Sequence, residues 1–184
     1  MVVQKAYKET RGQPLKEVRH HCRWEYPPRG VFKLNVDRAI FQNQHNAGIG
    51  AILRDCKGEV LMAVSKKERE VSDATGIKML AIFRGLQLSV HLGIHHLVVE
   101  SDALTLVEEL QKSEPSMAFV GNVIKNTKEL MHCFQSCEVR YVGRNCNEAA
   151  HKLARHAWNV SDISFWWGSF PNVIASVIWV ERLM

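Results

Sequence analysis

Apolar and polar residues alternate from Val31 to Asp37, with Phe32, Leu34 and Val36 on one side and Lys33, Asn35 and Asp37 on the other. A period of two marks a strand with one buried and one polar face. Ala47 to Arg54 is a second apolar run, with Gly48 and Gly50 on one side, and Glu59 to Ser65 is a third. Asp55-Cys56-Lys57-Gly58 between them reads as a tight turn, so the sheet is expected to begin as three antiparallel strands. From Gly76 to Leu92 the period lengthens to that of a helix. Ile77, Leu80, Ala81, Leu88 and Leu92 form a stripe, Phe83 and Leu86 broaden it, and Gly93 supplies the stop. His96 to Glu100 is a short strand, and Ser101 or Asp102 is placed to cap a helix running to about Lys112. A further helical stretch spans about Ala118 to His132, Glu138 to Val142 is a fifth strand, and Asn147 opens a last helix to about Trp158. This order, three strands and then alternating helices and strands, predicts an α/β (α+β) fold: a mixed sheet with helices packed on it.

A length of 184 residues suits one domain with tails. Residues 1–23 lack periodicity and are expected to be a disordered tail. They are followed by a domain over 24–158, entered through the stiff Trp24-Glu25-Tyr26-Pro27-Pro28-Arg29-Gly30 segment, and by an extension over 159–184. The extension holds Phe165, Trp166, Trp167 and Trp179, which are expected to pack on the domain, with base stacking as the alternative. The net charge of +5 is uneven: Lys5, Lys8, Arg11, Lys16, Arg19 and Arg23 face only Glu9 and Glu17 in the first 24 residues. Such an arm can hold phosphates or remain a solvated tail. No apolar run nears the roughly 18–20 residues of a membrane span, so no membrane partner is expected. The N-terminus has no apolar core of a secretion signal, and five cysteines are an odd number. Both point to reduced thiols in an intracellular protein, nuclear or cytoplasmic. Cys133 and Cys137 with His132 and Cys146 are poorly spaced for zinc. A monomer is expected.

Six strings in order carry a resemblance. They are Trp24-x-x-Pro27-Pro28-x-Gly30, Phe32-Lys33-Leu34-Asn35-Val36-Asp37, Gly48-x-Gly50-Ala51-Ile52-Leu53-Arg54-Asp55, Gly85-Leu86 with Gly93, Val99-Glu100-Ser101-Asp102, and Val142-x-Arg144-x-x-Asn147-x-x-Ala150-His151-x-Leu153-Ala154. Together they resemble the ribonuclease H type-1 domain, in the plant form derived from non-LTR retroelement polyproteins. The resemblance covers about residues 24–158 and implies a five-stranded mixed sheet flanked by helices. It implies cleavage of the RNA strand of an RNA–DNA hybrid, with four carboxylates holding two Mg²⁺ or Mn²⁺ ions.

On this chain the implied carboxylate set is incomplete. Asp37 and Asp102 match the first and third positions, so they are the implied catalytic and metal-binding residues. The helix position that should be Glu is Lys78, and no Asp or Glu lies between Asp73 and Glu100 to replace it. The fourth position is His151, able to ligate a metal or shuttle a proton but a poorer Mg²⁺ ligand than carboxylate. Two aspartates, one lysine and a neutral histidine carry about −1 where four carboxylates carry −4. Lys78 is therefore expected to act as a built-in counterion, leaving metal binding weak or absent. Arg38, Arg54, Arg144 and Asn147 are the candidate nucleic-acid contacts. The expected function is binding RNA, DNA or their hybrid with cleavage weak or lost. The alternatives are an active hybrid ribonuclease using Asp37, Asp102 and His151, and a retroelement remnant with no selected role.

Overall fold

The structure, a computed structural model, describes residues 23–41, 46–69, 74–113 and 121–183. The basic tail expected at residues 1–23 lies outside them, except for Arg23. The elements in chain order are β1 (Phe32–Phe41), β2 (Asn46–Arg54), β3 (Val60–Glu68), α1 (Ala74–Ser89), β4 (His96–Ser101), α2 (Leu104–Gln111), α3 (Gly121–Met131), β5 (Ser136–Tyr141), α4 (Glu148–His156), β6 (Ile163–Trp167) and α5 (Asn172–Leu183). Asp55 builds the β2–β3 turn: its Oδ1 accepts from the Lys57 and Glu59 N–H groups at 2.8 and 2.9 Å.

The sheet order is β5-β4-β1-β2-β3-β6. β1, β2 and β3 run antiparallel, β4 lies parallel to β1, and β5 parallel to β4. The sheet has six strands rather than the expected five. β6 pairs antiparallel with β3, setting Phe165 opposite Val64 and Trp166 opposite Ala63. Large apolar side chains on both faces of this short strand hide the period of two that reveals β1.

Alternation along β1 separates the two faces of the sheet. Leu34 and Val36 enter the main core with Met79, Ile82 and Leu86 of α1, Leu106 and Leu110 of α2, and Ile124 of α3. Each such buried side chain contributes about 1.5–3 kcal/mol relative to exposure, so this larger cluster dominates the stability of the fold. A smaller core on the other face joins Ile52 and Ala63 to Ala150 and Leu153 of α4 and to Ile174 and Ile178 of α5. Lys33, Asn35 and Asp37 project to that second face, and all three are buried.

Three local expectations need correction. The N-cap of α2 is Ala103, not Ser101 or Asp102, and it makes no side-chain capping bond. Asn147 is the N-cap of α4 by position, yet its side chain does not cap. Its Nδ2 instead donates to the Val36 carbonyl at 2.9 Å, tying α4 to β1. Cys56, Cys133 and Cys137 are free thiols, whereas Cys146 is disulfide-bonded, against the expectation of reduced thiols throughout. An odd cysteine count says nothing of which sulfurs the fold brings together.

Candidate functional site

Two glycines set how closely α4 approaches the sheet. A Cβ on Gly48 would lie 2.0 Å from the Ala154 carbonyl oxygen, and one on Gly50 would lie 2.1 Å from that of Ala150. Only glycine permits such contact, so the helix backbone rests on the strand backbone. Gly50 is the antiparallel partner of Asp37. Asn147 holds the start of α4 beside Val36, the neighbour of Asp37. The residue after Ala150 therefore arrives over Asp37, and that residue is His151.

His151 Nδ1 lies 2.7 Å from Asp37 Oδ2, and His151 Nε2 lies 3.0 Å from Arg144 Nη2. Arginine only donates, so Nε2 must accept and the ring proton sits on Nδ1. A neutral imidazole thus donates to the Asp37 carboxylate while accepting from Arg144. The Asp37 carboxyl is pushed above the ordinary aspartate range, first by burial and then by the nearby Asp102 charge. The Arg38 backbone N–H and His151 oppose that shift.

Asp102 follows the end of β4, and Lys78 stands near the start of α1. Lys78 Nζ lies 3.7 Å from Asp102 Oδ1, an ion pair too long for a hydrogen bond. That Oδ1 is buried and has no hydrogen-bond partner among the described residues. Among the described residues, no group of three or more His, Cys, Asp and Glu side chains is arranged to hold a metal ion.

These residues line one cleft of about 570 Å³. Of the site residues expected from sequence, Asp37, Arg38, Lys78, Asp102, Arg144 and His151 all reach it. Arg54 and Asn147 do not, which corrects their assignment as nucleic-acid contacts. Arg54 is 2% exposed, ion-paired with Glu181 of α5, and its guanidinium sits 3.7 Å from the Trp24 ring centroid. Asn147 is also 2% exposed and serves packing. Arg155 and Trp158, not among the residues expected from sequence, also line the cleft. They lie four and seven residues after His151, the spacing of one helix face, so periodicity alone could have found them.

Comparisons with known proteins bear on the fold and the family. No curated protein matches the chain. Among solved structures, the chain is similar to the RNase H1 of the halophilic archaeon Halobacterium salinarum, at 18% identity over 70% of this chain and 98% of that one, with a TM-score of 0.65. It is similar to the N-terminal RNase H domain of a Mycobacterium tuberculosis protein, at 20% identity over 70% of this chain and 94% of that one, with a TM-score of 0.63. An RNase H1 isolated from compost, in complex with an RNA/DNA hybrid, gives 18% identity over 70% of this chain and 96% of that one, with a TM-score of 0.60. At these identities the likeness is one of fold. The reverse transcriptase-like family matches residues 35–157, the span from Asn35 in β1 through the end of α4 that holds the cleft residues apart from Trp158, and the chain belongs to that family of RNase H-like domains.

Proposed function

We propose that this domain binds nucleic acid, an RNA–DNA hybrid foremost, without efficient two-metal cleavage. The RNase H-like fold and the hybrid bound by the compost RNase H1 support the substrate class. The ammonium of Lys78, 3.7 Å from Asp102 Oδ1, is the observation that carries the loss of cleavage. A unit charge at ~4 Å is worth about 4 kcal/mol at an effective dielectric near 20, and a dication doubles the repulsion from Lys78. His151 adds no relief, because its Nδ1 is committed to Asp37 and its Nε2 to Arg144. The donor set therefore does not fit two divalent cations. If a metal bound at all, Asp37 and Asp102 would hold it.

A cleavage assay on a labelled hybrid tests this reading with the full chain beside Lys78→Glu and Lys78→Glu/His151→Asp. The expected result is no cleavage above background by the unmodified chain, with Mg²⁺-dependent cleavage appearing in the double variant. Robust cleavage by the unmodified chain would instead support an active ribonuclease using Asp37, Asp102 and His151. Binding to the hybrid should weaken steeply with salt, since phosphate contacts release counterions. Failure to bind hybrid, RNA or DNA would favour a retroelement remnant without a selected role.

A further inference from the structure

We infer that the cleft seats a phosphate of a nucleic-acid strand directly on its arginines, at the place where related domains hold metal ions. The inference rests on the nucleic-acid reading above and names the group that the site would grip. Its first support is the charge of the wall. Arg38, Lys78, Arg144 and Arg155 stand there against Asp37 and Asp102, a net of plus two with His151 neutral. A cleft with that balance concentrates anions, not dications.

The two acids are also already engaged. Asp102 has Lys78 beside it, and Asp37 receives the Nδ1–H of His151. The arginines keep donors in reserve. Arg144 uses Nη2 on His151, leaving the remainder of its guanidinium fork. Arg38 Nε is buried without a hydrogen-bond partner among the described residues. Arg155 is exposed and has no ion pair among the described residues. Planar guanidinium groups match phosphate oxygens in pairs, which lysine cannot do.

The cleft holds more than an ion. Its volume of about 570 Å³ lies within the range of small-molecule sites and admits a nucleotide unit. Trp158 is 43% exposed on the wall and is braced by Phe41, with ring centroids 5.1 Å apart at 87°. A partly exposed indole beside arginines is suited to stack a base while the phosphate meets the guanidinium groups. The ligand class is therefore one nucleotide of a strand, through either an internal diester or a terminal phosphate.

Thermal melting of the full chain in sodium phosphate, against sodium chloride at equal ionic strength, reads the phosphate seat. Adenosine monophosphate and a short single strand without terminal phosphate separate terminal from internal phosphate. Phosphate and adenosine monophosphate should raise Tm where chloride does not. Arg38→Gln and Arg144→Gln, checked for native circular dichroism, should each weaken phosphate and oligonucleotide binding about 5- to 20-fold. Arg182→Gln, on α5 and paired with Glu59, should leave both unchanged. A phosphate effect that survives both cleft variants overturns the inference, as does Mg²⁺ stabilisation lost in Asp102→Asn. Hybrid binding undiminished in both cleft variants overturns the inference but leaves the nucleic-acid function standing. Phosphate binding without any hybrid binding does the reverse.

Discussion

Two polar regions share one face of β1 and are only two residues apart, from Asn35 to Asp37, yet one is closed and the other open. At Lys33 and Asn35 the charges are balanced and covered. Lys33 pairs with Glu100 and Arg54 with Glu181, while Asn35 accepts from Trp24 and Arg54 and donates to Glu100, each at 2.9 Å. Trp24 and α5 supply the cover. Burial holds the Arg54 guanidinium below its ordinary range and pushes Glu181 up, and each partner opposes the shift of the other. At Asp37 the same strand face opens into the cleft, where four cations outnumber two acids. A polar residue on a strand face is thus not by itself a sign of function. Charge balance and cover distinguish a buried structural network from a surface that still needs a partner.

Both regions depend on the seating of α4, so the most damaging change should be one beneath it. Gly50→Val places branched side-chain carbon where Cβ already lies 2.1 Å from the Ala150 carbonyl oxygen. No rotamer relieves a backbone collision, so the expected loss exceeds the ~1–3 kcal/mol of ordinary overpacking. Circular dichroism and melting should show little cooperative unfolding. A variant with native melting would mean that α4 does not rest on β2, and that the cleft and the network are not held by a common frame.

The next largest effect separates the two regions. Glu181→Ala leaves Arg54 buried and uncompensated, which typically costs about 3–5 kcal/mol. Arg54→Met/Glu181→Leu removes both charges and should cost clearly less, because the penalty comes from the unpaired ion. Denaturant titration of the three proteins reads the difference. If the double variant is as unstable as Glu181→Ala, packing against Trp24 rather than charge pairing holds the region closed. Hybrid affinity should be unchanged in the double variant, since Arg54 never reaches the cleft.

How much of this could be read in advance follows the same division. The alternation of Phe32 to Asp37 revealed β1 and its polar face, whereas the close approach of α4 at Gly48 and Gly50 emerged only from the fold. The Lys78 position could be read because its helix contains no acid to compete for the role. Arg54 could not be distinguished from a surface arginine, because its partner Glu181 lies 127 positions along the chain. Asn147 looked like a cap because capping is local, whereas its actual bond reaches Val36, 111 positions away. Closure is a long-range property, and local pattern is silent on it. The cleft was legible where short local strings carry it: Asp37 within β1, Asp102 just after β4 and His151 in the first turn of α4.

A smaller effect concerns pH and sharpens the description of the open region. Asp37 binds its proton more tightly in the folded chain than when unfolded, owing first to burial and then to Asp102. A folded-state value raised in this way stabilises the fold fully below the unfolded value. That stabilisation is lost as pH rises through the folded value. Asp102→Asn removes one raising cause, so the Asp37 titration followed by carboxyl NMR should move down, and less stability should be lost across that window. An unmoved titration would show that burial alone sets it and that the two acids do not sense each other.

The smallest effect should come from Lys78→Met, read as stability. Lys78 and Asp102 are 31% and 18% exposed in their side chains, and their contact is 3.7 Å long. Such a pair contributes about 0–1 kcal/mol, and the methionine keeps the length of the stem. Melting should therefore change by no more than a few degrees. In the closed network, removal of one partner leaves a charge that water cannot reach. In the cleft the Asp102 Oδ1 is buried, but 18% of the side chain stays exposed, so water still screens the charge left behind. A loss above 2 kcal/mol would place Lys78 among the buried structural ions and erase the distinction between the two regions. A near-neutral change would leave its charge with one evident consequence, on what the cleft can hold.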